Sequence, residues 1–136
     1  MNRRIFFNYV RNAPFGGRLL QKQIDGMNFI LDEWEARALS DDRWLAYCLA
    51  TAFWETAQTM QPIAEMGKGK GRRYGVPGKH NRQVAYGRGY VQLTWDTNYE
   101  RADKELNLHG RLLRNFDLAM DPKIAAAIMF EGMIDG

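Results

Sequence analysis

The sequence predicts an α+β domain, mainly α, with a small β element and one long loop of glycines and cations. Three observations carry this. Apolar residues recur at three- and four-residue steps through residues 18–60 and again after Asp121. Only one piece, Val84 to Thr94, has the composition of a strand. Between these lies Gly67–Asn81, where glycines alternate with lysines and arginines and neither period holds. No repeat or linker divides the 136 residues, so one domain spanning 1–136 is expected.

Taken in order, Arg18 to Leu39 reads as an amphipathic helix on Leu20, Ile24, Met27, Leu31, Trp34 and Ala38. Ser40-Asp41-Asp42 ends it, and either aspartate can cap the next helix. That helix runs from Arg43 to about Met60. Its apolar residues cover much of its circumference, which predicts a central, buried helix. Pro62 marks its end. Residues 67–81 form a long loop, expected to be mobile and cationic; loops of this length in a domain are usually functional or disordered. Tyr90, Val91 and Leu93 favour a strand, with Gly87 and Gly89 suited to a tight turn or a close backbone approach. Thr94 or Asp96 can cap a helix reaching Leu106. Asp121-Pro122 then starts a last helix with Ile124, Ala127, Ile128 and Met133 on its inner face.

Composition removes several function classes. Cys48 is the only cysteine, so no intrachain disulfide can form. It lies in the apolar run Tyr47-Cys48-Leu49-Ala50, far from His80 and His109, which argues for an inert thiol and against a Cys–His enzyme. The histidines and the cysteine stand at no ligand spacing, so no metal and no cofactor are expected. The apolar patch Ile5-Phe6-Phe7 is too short for a secretory segment or a membrane helix. Synthesis in the cytoplasm is therefore expected, with no membrane insertion. A net charge of +3 serves solubility or attraction to a polyanion. The cations of Gly67–Arg73 invite a nucleic-acid reading, but no recognition helix or RNP-like strand accompanies them. The pattern of a phosphate loop is absent too. A plainly solvated loop is the remaining alternative.

The most informative feature is a scarcity of acids. From Arg43 to Trp95 the only acidic side chains are Glu55 and Glu65, against Lys68, Lys70, Arg72, Arg73, Lys79, Arg82 and Arg88. Two readings of Glu55 stand. Its neighbours Ala52, Phe53, Trp54, Thr56 and Ala57 would desolvate a carboxyl held among them and favour the protonated form, as a proton donor to a glycosidic oxygen requires. Alternatively it sits at the wet edge of its helix. Glu65, where the helix gives way to the loop, either stays ionised as a base or simply neutralises basic neighbours. Two carboxyls in contrasting surroundings are the usual acid–base pair of a glycosidase.

The segment Ala85-Tyr86-Gly87-Arg88-Gly89-Tyr90-Val91-Gln92-Leu93-Thr94-Trp95, with Asn98-Tyr99 after it, resembles the YGRGxxQLTW…NY signature of glycoside hydrolase family 19. Trp54-Glu55-Thr56 is similar to that family's His-Glu-Thr catalytic segment. Gln21–Asn28 and Ile63–Gly67 resemble its phage and prophage branch, the endolysins or chitinase-like lysozymes. The likeness covers roughly residues 17–135.

The resemblance implies a lysozyme-like fold and an inverting hydrolysis of a β-1,4 glycan. Peptidoglycan is the first expectation and chitin the second; a wall-binding domain without activity is the alternative of another class. Carried over, Glu55 is the general acid, Glu65 the base, and Thr94 helps hold the attacking water. An inverting pair stands roughly 6.5–9.5 Å apart to admit that water. Tyr86, Gln92 and Asn98 become groove residues that bond to or stack on sugars. Arg88, Trp54 and Thr56 become supporting residues, Arg88 through charge-assisted hydrogen bonds. The glycine-rich loop is expected to close over the substrate and bring Glu65 into place. The expected partner is a polysaccharide, not nucleic acid, and the expected state a monomer that reaches the cell wall after release. Trp54 stands where the family has histidine, which bears on how Glu55 is oriented. Family members run on past the position of Gly136, so a domain truncated at its C-terminus is expected.

Overall fold

Six α-helices and one 3₁₀-helix form among the described residues, 1–135 of this computed structural model. They are α1 (Arg3–Asn12), α2 (Gln21–Ala36), α3 (Asp42–Glu55), α4 (Asp96–Glu105), α5 (Arg111–Arg114), the 3₁₀-helix Phe116–Met120 and α6 (Pro122–Asp135). The chain is thus mainly α. No described helix is long and apolar enough to cross a membrane.

The expected β element is reduced to two isolated bridges, Ala64 with Arg88 and Arg88 with Leu93. Tyr90, Val91 and Gln92 are not a strand. They form a turn in which the Arg88 and Leu93 backbones exchange hydrogen bonds of 3.2 and 2.9 Å. Burial explains the change: Tyr90 is fully buried and its hydroxyl donates to the Gly26 carbonyl on α2, 3.1 Å away. That inward anchor and a Gln92 backbone at φ 54° bend the segment back on itself.

Two apolar clusters make the core. One gathers Met27, Ile30, Leu31 and Trp34 of α2, Leu45, Cys48 and Ala52 of α3, and Met129 and Phe130 of α6, around Tyr90. The other joins Ala85, Tyr99, Ala102, Leu112, Phe116 and Ile128. Each fully buried large apolar side chain contributes about 1.5–3 kcal/mol relative to exposure. Val91 touches both clusters, so residues 84–94 run along the seam between them. Cys48 is buried in the first cluster, and burial pushes its thiol up to about 11. A disulfide-exchange reagent is therefore expected to label Cys48 only after denaturant unfolds the chain; rapid labelling of the folded protein would contradict this packing.

Helix boundaries depart from expectation in instructive places. Asp41 caps α3 by accepting from the Arg43 amide at 3.0 Å, and Asp121 caps α6 by accepting from Lys123 and Ile124 at 3.1 Å. The helix expected to reach Met60 stops at Glu55. There the Thr56 hydroxyl donates back to Ala52 O and accepts from the Met60 amide, while Ala57, Gln58 and Met60 take positive φ. The turn is clamped to α2, since Gln61 donates to Lys22 O and Gln23 to Gln58 O. A Cβ on Gly26 would run into the Met60 carbonyl, so this approach needs glycine. The expected caps of α4 also fail: its N-cap is Trp95, at φ 78°. Helix α1 has no counterpart in the sequence reading. It buries no residue fully, but Phe6, Phe7 and Val10 lean on the first cluster, and Arg3 pairs with Asp32 and Glu35 of α2.

Candidate active site

Glu55 is the last residue of α3, and its position is set by the clamped turn that follows. The wet-edge reading holds: Glu55 is exposed, and the burial anticipated from its apolar neighbours does not occur, because Ala52 and Thr56 are turned inward while Trp54 and Ala57 are themselves exposed. Thr56 is fully buried, with a structural role. Trp54, expected to support the site from within, is instead 80% exposed. It forms a rim beside Glu55.

Glu65 comes from a different segment. Its amide donates to Gly87 O at 2.8 Å, and Gly89 N donates to Ile63 O at 3.0 Å, so residues 63–65 are paired with Gly87-Arg88-Gly89. Gly89, at φ 88°, is required there by a backbone neighbour, whereas Gly87 faces only the movable end of a side chain. A Cβ on Gly87 would stand 2.8 Å from Gln92 Oε1, and one on Gly89 would stand 2.7 Å from Ala119 O. The carboxylate of Glu65 accepts from the Tyr74 hydroxyl at 2.9 Å; its partner is that phenol and not one of the loop's cations. Its other oxygen, Oε1, is shielded and has no hydrogen-bond partner among the described residues.

Thr94 follows the Gly89–Gln92 turn. Freed from capping, its hydroxyl donates to Gln92 O at 2.8 Å, leaving its lone pairs to accept from another donor. Gln92 spends its amide hydrogens on Ile63 O and Gly89 O, both at 2.9 Å. Gln92 therefore fixes the wall and has only its oxygen left to offer.

These pieces meet. Glu55, Glu65, Gln92 and Thr94 line one open cleft of about 710 Å³, with Trp54, Ile63 and Met66 on its border. Ile63 and Met66 were missed in the sequence, as was Tyr74. The only signal for Tyr74 was an aromatic residue stranded among glycines and cations, which has to pack on something.

Two expected groove residues are not among those lining this cleft. The Tyr86 ring is covered by the Arg88 guanidinium, 3.6 Å from its centroid, and its carbonyl accepts from Tyr99 and Arg88. Asn98 borders a smaller pocket with Arg101 and Glu105; its amide holds the Thr94 carbonyl at 2.8 Å. The guanidinium of Arg88 is tied down inside the fold. It is 5% exposed and donates to Asp117, Val84 O, Tyr86 O and the Tyr99 hydroxyl.

The cationic loop is folded as successive turns, with Lys70, Arg72 and Gly75 amides donating to Gly67, Gly69 and Arg72 carbonyls. Lys79 and His80 tie its end to Glu100 at 2.9 and 2.8 Å. Lys68, Lys70, Arg72 and Arg73 point outward, exposed. Among the described residues, no three His, Cys, Asp or Glu side chains gather to hold a metal ion. No match emerges when the chain is compared with known protein families, with characterised proteins or with solved structures.

Proposed function

We propose that this chain is an inverting glycoside hydrolase of lysozyme-like fold that cuts the β-1,4 glycan of peptidoglycan. One observation carries the reading: two carboxyls and a hydroxyl from three separate segments, Glu55, Glu65 and Thr94, line the same cleft. Glu55 donates a proton to the departing glycosidic oxygen. Glu65 takes a proton from a water that attacks the anomeric carbon from the opposite face, and Thr94 accepts a hydrogen bond from that water. Bond breaking and bond making on opposite faces turn a β linkage into an α product.

The exposed indole of Trp54 suits the apolar face of a sugar ring. Trp54→Ala is expected to raise KM about threefold to tenfold, the worth of one stacked aromatic contact, with kcat nearly unchanged. Steady-state kinetics on a soluble oligosaccharide checks it, and an unchanged KM would remove Trp54 from the binding surface. The exposed lysines and arginines of the loop favour an anionic wall over neutral chitin.

Zymograms on purified peptidoglycan and on colloidal chitin, with mass analysis of the fragments, test the proposal. Clearing of peptidoglycan with release of glycan fragments is expected. Clearing of chitin alone would replace the substrate, and wall binding with no release would leave a binding domain in place of an enzyme.

A further inference from the structure

Glu65 and Tyr74 bracket the first half of the cationic loop. The run of turns starts at the Glu65 carbonyl, which accepts from the Lys68 amide at 3.3 Å, and returns to the Glu65 carboxylate through the Tyr74 hydroxyl. The tyrosine is itself well seated. Its ring packs edge-on against Trp95 with centroids 5.4 Å apart, and Gly69 lies so near that a Cβ there would stand 3.4 Å from the ring. A Cβ on Gly75, the next residue, would collide with the Gly69 carbonyl, so the loop crosses itself at this point. The phenol is thus held from both sides while its hydroxyl reaches a single acceptor.

The two oxygens of Glu65 are made unequal by this contact. Oε2 is engaged by Tyr74, whereas Oε1 is shielded and unpartnered among the described residues. A shielded carboxylate oxygen without a donor is costly, and such atoms in native structures call for a partner or a catalytic role. We propose that Tyr74 is a positioning residue that clasps Oε2 of Glu65 and so fixes the rotamer of the base. The inference rests on the hydrolase reading above and adds a named residue to it. It also gives the glycine pattern a purpose: the loop must fold back within nine residues for position 74 to reach position 65.

Kinetics test the positioning role. Tyr74→Phe keeps the ring and removes the donor. A hydrogen bond to a charged group is worth enough for kcat to fall about 10- to 100-fold, with KM within about twofold of wild type. The double variant Glu65→Gln, Tyr74→Phe should be no slower than Glu65→Gln alone, since the tyrosine acts only through the base. Wild-type kcat in Tyr74→Phe, or losses that multiply in the double variant, would overturn the proposal.

A second readout needs no turnover. The hydrogen bond to Glu65 raises the Tyr74 phenol above its ordinary value, with burial adding to it. In protein carrying ring-labelled tyrosine, the Tyr74 resonance should titrate at lower pH in Glu65→Gln than in wild type. An identical midpoint in both would show that the clasp is absent in solution. Wild-type protein inactive on both peptidoglycan and chitin would bring down the hydrolase reading instead, while the titration still decides the contact.

Discussion

Glu55→Gln is expected to lower kcat by about 10²–10⁴-fold, the usual contribution of a positioned proton donor. The amide keeps the size and polarity of the side chain and loses only the transferable proton. Glu55 is exposed and makes none of the contacts that hold α3, so the melting temperature should stay near wild type. Affinity for the wall should survive as well, because Trp54 and the opposite wall of the cleft are untouched. Pull-down on insoluble peptidoglycan, beside turbidity loss of the same suspension, separates binding from cutting. A variant that clears walls at the wild-type rate would mean the proton comes from elsewhere.

The second large effect is on stability. Arg88→Leu removes one side chain that serves four acceptors and three rings. Its guanidinium bonds Asp117 at 3.0 Å, Val84 O at 2.9 Å, Tyr86 O at 3.2 Å and the Tyr99 hydroxyl at 3.1 Å. It also lies over Tyr86 at 3.6 Å and over Tyr99 and Phe116, each at 5.7 Å. Each buried polar group left without its donor costs about 1–3 kcal/mol. A total loss of about 3–5 kcal/mol follows, enough to lower Tm by on the order of 10 °C in a chain of this length. Lysine should rescue little, because an ammonium cannot reproduce the planar fork that meets these acceptors. Damage would reach the cleft, since the backbone of Arg88 pairs with both Ala64 and Leu93, next to Glu65 and Thr94. Thermal unfolding followed by circular dichroism checks this; a melt within about 2 °C of wild type would deny Arg88 its role as the hub.

What could be read from the sequence followed from periodicity and from chemical scarcity. The steps from Met27 through Leu31 to Trp34 located α2 because burial of one stripe is a local pattern. Asp41 and Asp121-Pro122 located helix starts because a cap needs only its own next residues. Glu55 and Glu65 stood out as the only acids in fifty residues, and both line the cleft. The errors arose where distant residues decide. Nothing local says that Tyr90 must reach Gly26, yet that contact turns a strand-like run into a turn. The end of α3 at Glu55 depends on Thr56 and on a clamp to α2, thirty-odd residues upstream. Helix α1 was passed over because its apolar patch was weighed only as a membrane signal, while its pairing with Asp32 and Glu35 is tertiary.

The central claim is that Glu65 drives water onto the sugar from the face opposite the bond that Glu55 protonates. It is tested most directly by proton NMR of the anomeric signals in the first minutes after enzyme is added to a β-1,4 N-acetylated oligosaccharide. The α anomer should appear first and the β anomer should grow only as the new end mutarotates. A β anomer formed first, or no new reducing end at all, would contradict the account.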